Sequence, residues 1–239
     1  MNINSKPSLK YNTNNMRKFL CEFIGTFTLV IFAAGAVMVD GLTNGSLGPI
    51  GNGLISGIIV AAIIYTFSDI SGAHINPALS ITAYFLGYLD KKLLSGYLIA
   101  QMAGSALAGY CLLWVLGNHE NIGANLPNHE INISIGITFI IEFFLAFILM
   151  LVIAATGFDR RAHKPISGFV IGGVVAIEVM LMGPISGAAM NPARAFGPHL
   201  ASGSFNYYWI YLLAPISGML LGGLVYRVTH SFIGNKSRN

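Results

Sequence analysis

Six long apolar runs, almost free of charge, constrain this chain more than any other feature. Phe19–Val39 carries one charge, Glu22, while Leu54–Ser68, Leu93–Leu116 and Tyr207–Tyr226 carry none. Ile133–Phe158 carries only Glu142, and Pro165–Met182 only Glu178. A bilayer core takes about 20 residues of helix, and tilt or burial accommodates a shorter run such as the second. Barrel strands would instead alternate apolar and polar residues. The runs therefore predict an all-α membrane protein with six transmembrane helices. The surface agrees: charged residues are 9% of the chain, against about 25% in ordinary globular proteins. Lipid, not water, is the solvent such a surface fits.

Basic residues set the expected orientation. Lys6, Lys10, Arg17 and Lys18 precede the first run, and Lys91 and Lys92 follow the second. Arg160, Arg161 and Lys164 follow the fourth, and Arg227, Lys236 and Arg238 follow the sixth. With alternating spans all of these fall on one side; the other side holds Asp40, Glu120, Glu130 and a single cation, Arg194. The positive-inside rule then puts both termini in the cytoplasm of a cell or inner membrane. The net charge of +4 is accounted for by topology and gives no support for a nucleic-acid partner. A cleaved signal peptide over the first run would leave five spans and break the repeat described next. Cys21 and Cys111 lie inside spans and read as buried apolar thiols. No metal-ligand cluster, nucleophile–base pair or catalytic carboxylate pair occurs, so no metal, cofactor or enzymatic activity is expected.

The chain repeats itself. Ser71-Gly-Ala-His-Ile-Asn-Pro-Ala78 matches Ser186-Gly-Ala-Ala-Met-Asn-Pro-Ala193 at an offset of 115 residues. Glu22-Phe23 matches Glu142-Phe143 at 120, and Ala100-Gln-Met-Ala-Gly104 matches Ala214-Pro-Ile-Ser-Gly218 at 114. Each half holds three spans, an odd number, so the second half enters the membrane from the opposite face. Such inverted repeats put their working site at the midplane, where broken helices meet. One channel domain is expected over residues 17–230, with repeats of about 17–116 and 133–230. Residues 1–16 are expected to be a disordered cytoplasmic tail and 231–239 a cytoplasmic tail. Gly53 and Gly57, Gly168 and Gly172, and Gly218 and Gly222 sit four apart, which suits close helix packing.

Each Asn-Pro-Ala reads locally as a helix start, with Asn as N-cap and Pro at the first helical position. The apolar stretches that follow, Leu79–Leu86 and Ala195–Ala201, are too short to span. Two re-entrant half-helices, one from each face, are predicted to meet tip to tip. Irregular backbone at that depth must line a wet cavity or pack inside protein. Asn76, Pro77, Ala78, Asn191, Pro192 and Ala193 are thus expected to line a pore. Gly72, Ala73, His74 and Ile75, with Gly187, Ala189 and Met190, are expected to offer it backbone carbonyls. The positive ends of two helix dipoles and the nearby Arg194 would repel protons and cations. Glu22 and Glu142 are expected to be buried structural carboxyls holding those loops. His74 reads as a fold anchor, with pH sensing as the sharper alternative. Glu178 is expected beside the filter or bracing Arg194.

These residues resemble the major intrinsic protein family, the aquaporins and aquaglyceroporins, over about Phe19–Tyr226. The likeness extends to Glu22-Phe-Ile-Gly-Thr26, to Gln101 with Gly104, and to Phe196-Gly-Pro198 after the second motif. It implies an aquaporin-like fold, with six spans and two half-helices in an inverted three-plus-three repeat. It also implies a pore in each subunit and a homotetramer in the lipid bilayer. Counted from the motifs, the family's filter positions fall on Ser56, Val179, Ala188 and Arg194. Water-selective members have an aromatic and a His at the first two, and glycerol facilitators an Asp after the arginine. Here stand Ser56, Val179 and Ala195, so the chain follows neither pattern, and Tyr211-Leu212 lean toward the multi-solute branches. The resulting expectation is a passive channel for water and small uncharged solutes: glycerol, urea, ammonia or neutral metalloid acids. A proton- or ion-coupled secondary transporter is the alternative, since inverted repeats build those too.

Overall fold

The structure, a computed structural model, describes residues 14–159 and 164–234, and among these no strand occurs. Six helices are long and apolar enough to cross a membrane: α1 (Asn15–Leu42), α2 (Gly48–Ser71), α4 (Lys91–Leu116), α6 (Ile135–Ile153, continued by a π turn Ala154–Phe158), α7 (Ser167–Ser186) and α9 (Tyr208–Gly234). Two more are short: α3 (Pro77–Phe85) has 9 residues and α8 (Pro192–Ser202) has 11. At about 1.5 Å per residue each reaches roughly halfway through a 30 Å hydrocarbon core. The single turn α5 (Glu120–Gly123) is left-handed, with Glu120, Asn121 and Ile122 at φ 47°, 47° and 58°.

Local chemistry sets the helix ends. Side chains of Asn14, Asp90 and Ser134 accept the N–H groups of Met16, Leu93 and Ile137 at the starts of α1, α4 and α6. The turns at Gly72 and Gly187, at φ 86° and 89°, stop α2 and α7 and send the chain back into the membrane. That conformation costs glycine nothing. Helix α2 begins before the run Leu54–Ser68, and at that end Asn52 donates to Asp40 at 3.0 Å.

The interior is built on a pseudo-two-fold axis. Helix α2 lies against α7, α1 against α4, α6 against α9, and each half-helix leans on a span of the other repeat, α8 on α4 and α3 on α9. At the α2–α7 crossing, a Cβ added to Gly57 would meet the carbonyl oxygen of Gly172, and one added to Gly172 would meet that of Gly57. Ala176 and Ala61 flank this contact symmetrically. Gly53 packs under Met180, Gly168 on the Tyr65 ring, and Gly218 and Gly222 on the carbonyls of Phe143 and Phe147. Large side chains such as Ile99, Trp114, Phe169 and Ile177 face outward, as a lipid-solvated surface requires. Both cysteines are free, Cys21 buried and Cys111 partly so. Of the expected tails, residues 1–13 and 235–239 lie outside the described residues, as do Arg160 and Arg161, but Asn15 and Met16 already belong to α1, capped by Asn14, and residues 231–234 still belong to α9.

Candidate conducting pore

Two carboxylates fix the backbone from which the site is made. Glu22 on α1 accepts four hydrogen bonds: from Ser71 Oγ at 2.7 Å, His74 N at 2.9 Å, Ile75 N at 2.6 Å and Gln101 Nε2 at 2.8 Å. Glu142 on α6 does the same for the other half, accepting from Ser186 Oγ at 2.8 Å and from Ala189 N and Met190 N at 3.0 Å. The repeat mate of Gln101 is Pro215, which has no amide to offer, so Glu142 lacks the fourth bond. Tyr97 and Tyr211, mates at an offset of 114, donate their hydroxyls to the carbonyls of Ser71 and Ser186 at 2.5 and 2.7 Å.

Held this way, the loops before each half-helix take an uncommon form. Ala73 and Ile75 have φ 48° and 44°, and their mates Ala188 and Met190 have φ 43° and 54°. Left-handed backbone is costly for an L-residue, most of all for a β-branched one. The bonds of Glu22 and Glu142 to the neighbouring N–H groups hold it in place. His74 is fixed as well, its Nδ1 3.1 Å from Ser80 Oγ and its ring edge-on to Tyr97.

The asparagines cap and clasp together. Asn76 Oδ1 accepts from Ala78 N at 2.9 Å, and Asn191 Oδ1 from Ala193 N at 2.9 Å. Asn76 Nδ2 donates across the axis to Met190 O at 3.0 Å, and Asn191 Nδ2 to Ile75 O at 2.8 Å. An amide carries two N–H donors, so each asparagine keeps one. Both asparagines border a cavity of about 790 Å³. Pro77, Ala78, Pro192 and Ala193 are buried and do not border it. They pack the helix tips, and Ala193 O accepts from Ser105 Oγ. Of the expected carbonyls, those of Ile75 and Met190 are engaged by the clasp, and that of Gly187 by Asn125 Nδ2 at 2.6 Å. Gly72, Ala73, His74 and Ala189 are residues of the cavity wall.

A second cavity, about 550 Å³, opens beyond the first and is lined by Asp40, Glu120, His129 and Glu130 among others. Five residues border both cavities: Ala33, Ser56, Val179, Ala188 and Arg194. They form the neck between them, and four of the five are the positions counted from the motifs. The guanidinium of Arg194 is drawn to the wall. Its Nη1 donates to Gly123 O at 2.7 Å and Asn125 Oδ1 at 2.6 Å, and its Nη2 to Ala33 O at 3.2 Å. His199 Nε2 lies 3.0 Å from Asn125 O and steadies the same loop. Ser56 Oγ donates to Asn52 O at 2.8 Å, which leaves its lone pairs for the neck.

Glu178 departs from expectation. It borders neither cavity, and its carboxylate is not among the partners of Arg194. Only 6% exposed, it has no hydrogen-bond partner on either oxygen. The helical turn of 100° per residue points Val179 at the neck and its neighbour Glu178 away from it. Sequence reasoning did not find Gly123, Asn125 and Ala33, the anchors of Arg194. Tyr97 was detectable, because the offset that pairs Gln101 with Pro215 also pairs Tyr97 with Tyr211.

Comparison with known proteins gives the same architecture a family. The family model described as "Major intrinsic protein" matches residues 10–226. Aquaporin NIP3-1 of Zea mays is 36% identical over 211 residues, covering 88% of this chain and 69% of that protein. Nodulin-26 of Glycine max is 33% identical over 214 residues, covering 89% and 78%. The X-ray structure of the aquaglyceroporin from Plasmodium falciparum superposes with a TM-score of 0.79 at 25% identity, covering 93% of this chain and 100% of that one. With six apolar spans, two half-helices and these relatives, the chain belongs to the major intrinsic protein family, as an integral membrane channel for water and small solutes.

Proposed function

We propose that the pore conducts neutral molecules passively: water and uncharged solutes such as glycerol, urea, ammonia or undissociated metalloid acids. Protons and ions are refused. The observation that carries this reading is the reciprocal asparagine clasp, which seats the N-termini of α3 and α8 on one stretch of cavity wall. Each helix end contributes roughly half a positive charge there, and each asparagine keeps one N–H for a passing oxygen. A neutral hydroxylic solute exchanges its water partners for these donors and for wall carbonyls. A cation gives up hydration before a positive potential, with the Arg194 charge beyond it.

Ser56, Val179, Ala188 and Arg194 serve as the outer filter in this reading, and Glu22 and Glu142 as anchors of the loops. The bonds already made by those two carboxylates weigh against the coupled-transporter alternative, and Glu178 borders neither of the two cavities. The working form is a homotetramer of a single channel domain, residues 17–230, with both termini cytoplasmic.

Proteoliposomes loaded with a pH dye provide the test. Under water, glycerol and urea gradients, light scattering is expected to report rapid, non-saturating volume changes without internal acidification. Saturable flux that follows a pH or sodium gradient would overturn the passive reading.

A further inference from the structure

The axis that exchanges Asn76 with Asn191 and Gly57 with Gly172 also carries the outer neck onto a second set of positions. A shift of 115 residues takes Ser56 to Ile171, Val179 to Ile64, Ala188 to Ala73 and Arg194 to Leu79. All four of these mates line the 790 Å³ cavity. Their burial copies that of the neck: Ser56 5% and Ile171 7%, Ala188 2% and Ala73 5%, Arg194 7% and Leu79 6% exposed, with Val179 and Ile64 both partly exposed. The backbone copies it too, Ala73 at φ 48° answering Ala188 at φ 43°. What differs is the chemistry. The neck presents a hydroxyl, a guanidinium and two small apolar groups, whereas the mates are three branched apolar side chains and an alanine.

We infer that Ile64, Ala73, Leu79 and Ile171 form a second ring across the midplane from the neck, and that this inner ring sets the size limit on solutes. The inference rests on the passive-channel reading. At the neck, the bulkiest side chain is pinned to the wall by its bonds to Gly123, Asn125 and Ala33, leaving the opening to Ser56, Val179 and Ala188. At the inner ring Ile64, Leu79 and Ile171 line the cavity with apolar side chains that no hydrogen bond can pin to the wall. Their side chains also offer no hydrogen bond. A polar solute must keep its bonds on cavity-wall groups such as those of Gly72, Ala73 and His74 while it passes these side chains. The ring therefore passes water and slender solutes such as glycerol and urea, and rejects bulkier ones.

Stopped-flow measurements on proteoliposomes test this with water, glycerol and a linear four-carbon polyol. Ile64→Ala is expected to raise the ratio of four-carbon polyol to water permeability by about tenfold, the scale on which a pocket discriminates one methylene or more. Ile64→Phe is expected to cut glycerol about tenfold while water changes much less. Val179→Ala, at the mirrored place in the neck, is expected to raise the polyol-to-water ratio clearly less than Ile64→Ala does. Gel-filtration elution checks folding; should Ile64→Ala fail it, Ile64→Val and Ile171→Val carry the comparison, with a smaller rise expected. If Val179→Ala moves the ratio and the Ile64 and Ile171 variants do not, the size limit lies at the neck and the inference is wrong. A wild-type protein with no flux, or with gradient-coupled flux, would instead overturn the passive reading beneath it.

Discussion

Glu22 and Glu142 show how an expensive group is made affordable in a membrane interior. Each spends its lone pairs on a hydroxyl and on backbone N–H groups that a left-handed loop cannot use in a helix. Glu178 has no such compensation. Both oxygens are buried without a partner. Its repeat mate is Ile63, a core residue 3% exposed, so the fold holds an isoleucine at the equivalent place in the other half. Glu178→Ile is accordingly expected to stabilise the protein by about 1–3 kcal/mol, the usual cost of an unsatisfied buried polar group. The check is the thermal unfolding midpoint in detergent, which should rise by several degrees. Water permeability should stay unchanged, since Glu178 borders neither of the two cavities along the pore. A lower midpoint would mean that the carboxyl has a partner in the membrane-embedded protein.

At the scale of elements, the crossing of α2 and α7 decides how closely the two repeats approach. Gly57 and Gly172 each leave room for the other's carbonyl oxygen, so any Cβ there must push the helices apart. Gly57→Ala and Gly172→Ala are each expected to destabilise the protein by about 1–3 kcal/mol, the range for overpacking. Because both act on one contact, the double variant should cost clearly less than the two single changes added together. Denaturation of the four proteins measures this, and strict additivity would show that the two glycines do not share a contact. These glycines were legible as packing positions from their spacing. The half-helices were legible too, because Asn followed by Pro writes a helix start into the sequence. Span ends were less so: Asn52 and Asp69 look like loop residues until their surroundings in α2 are known. The turn α5 left no periodic signal. Its role depends on Arg194 reaching partners 71 and 69 residues away, and nothing local records such a contact.

For the whole molecule, the inverted repeat and the distribution of charge make one joint statement about how the protein sits in the bilayer. The chain holds two tryptophans, Trp114 and Trp209. Trp114 lies near the end of α4 and Trp209 near the start of α9, and with alternating spans those two ends share one face. Both indoles are outward-facing, 86% and 46% exposed, and tryptophan favours the membrane–water interface. Lys91 and Lys92 begin α4 at the opposite face, and Arg227 lies in the last two turns of α9 there. Both tryptophans are therefore expected at the outer interface, opposite the two termini. Brominated lipids should quench them most strongly when the bromine lies near the headgroups, and weakly when it lies at the bilayer centre. Sidedness follows from proteoliposomes of mixed orientation carrying a C-terminal tag. The fraction of tryptophan emission quenched by external iodide should equal the fraction of tags protected from external protease. Quenching that follows the accessible tags instead would place the tryptophans and the C-terminus on one side, which six alternating spans forbid. That result would remove the odd number of spans per repeat, and with it the geometry that brings Asn76 and Asn191 together from opposite faces.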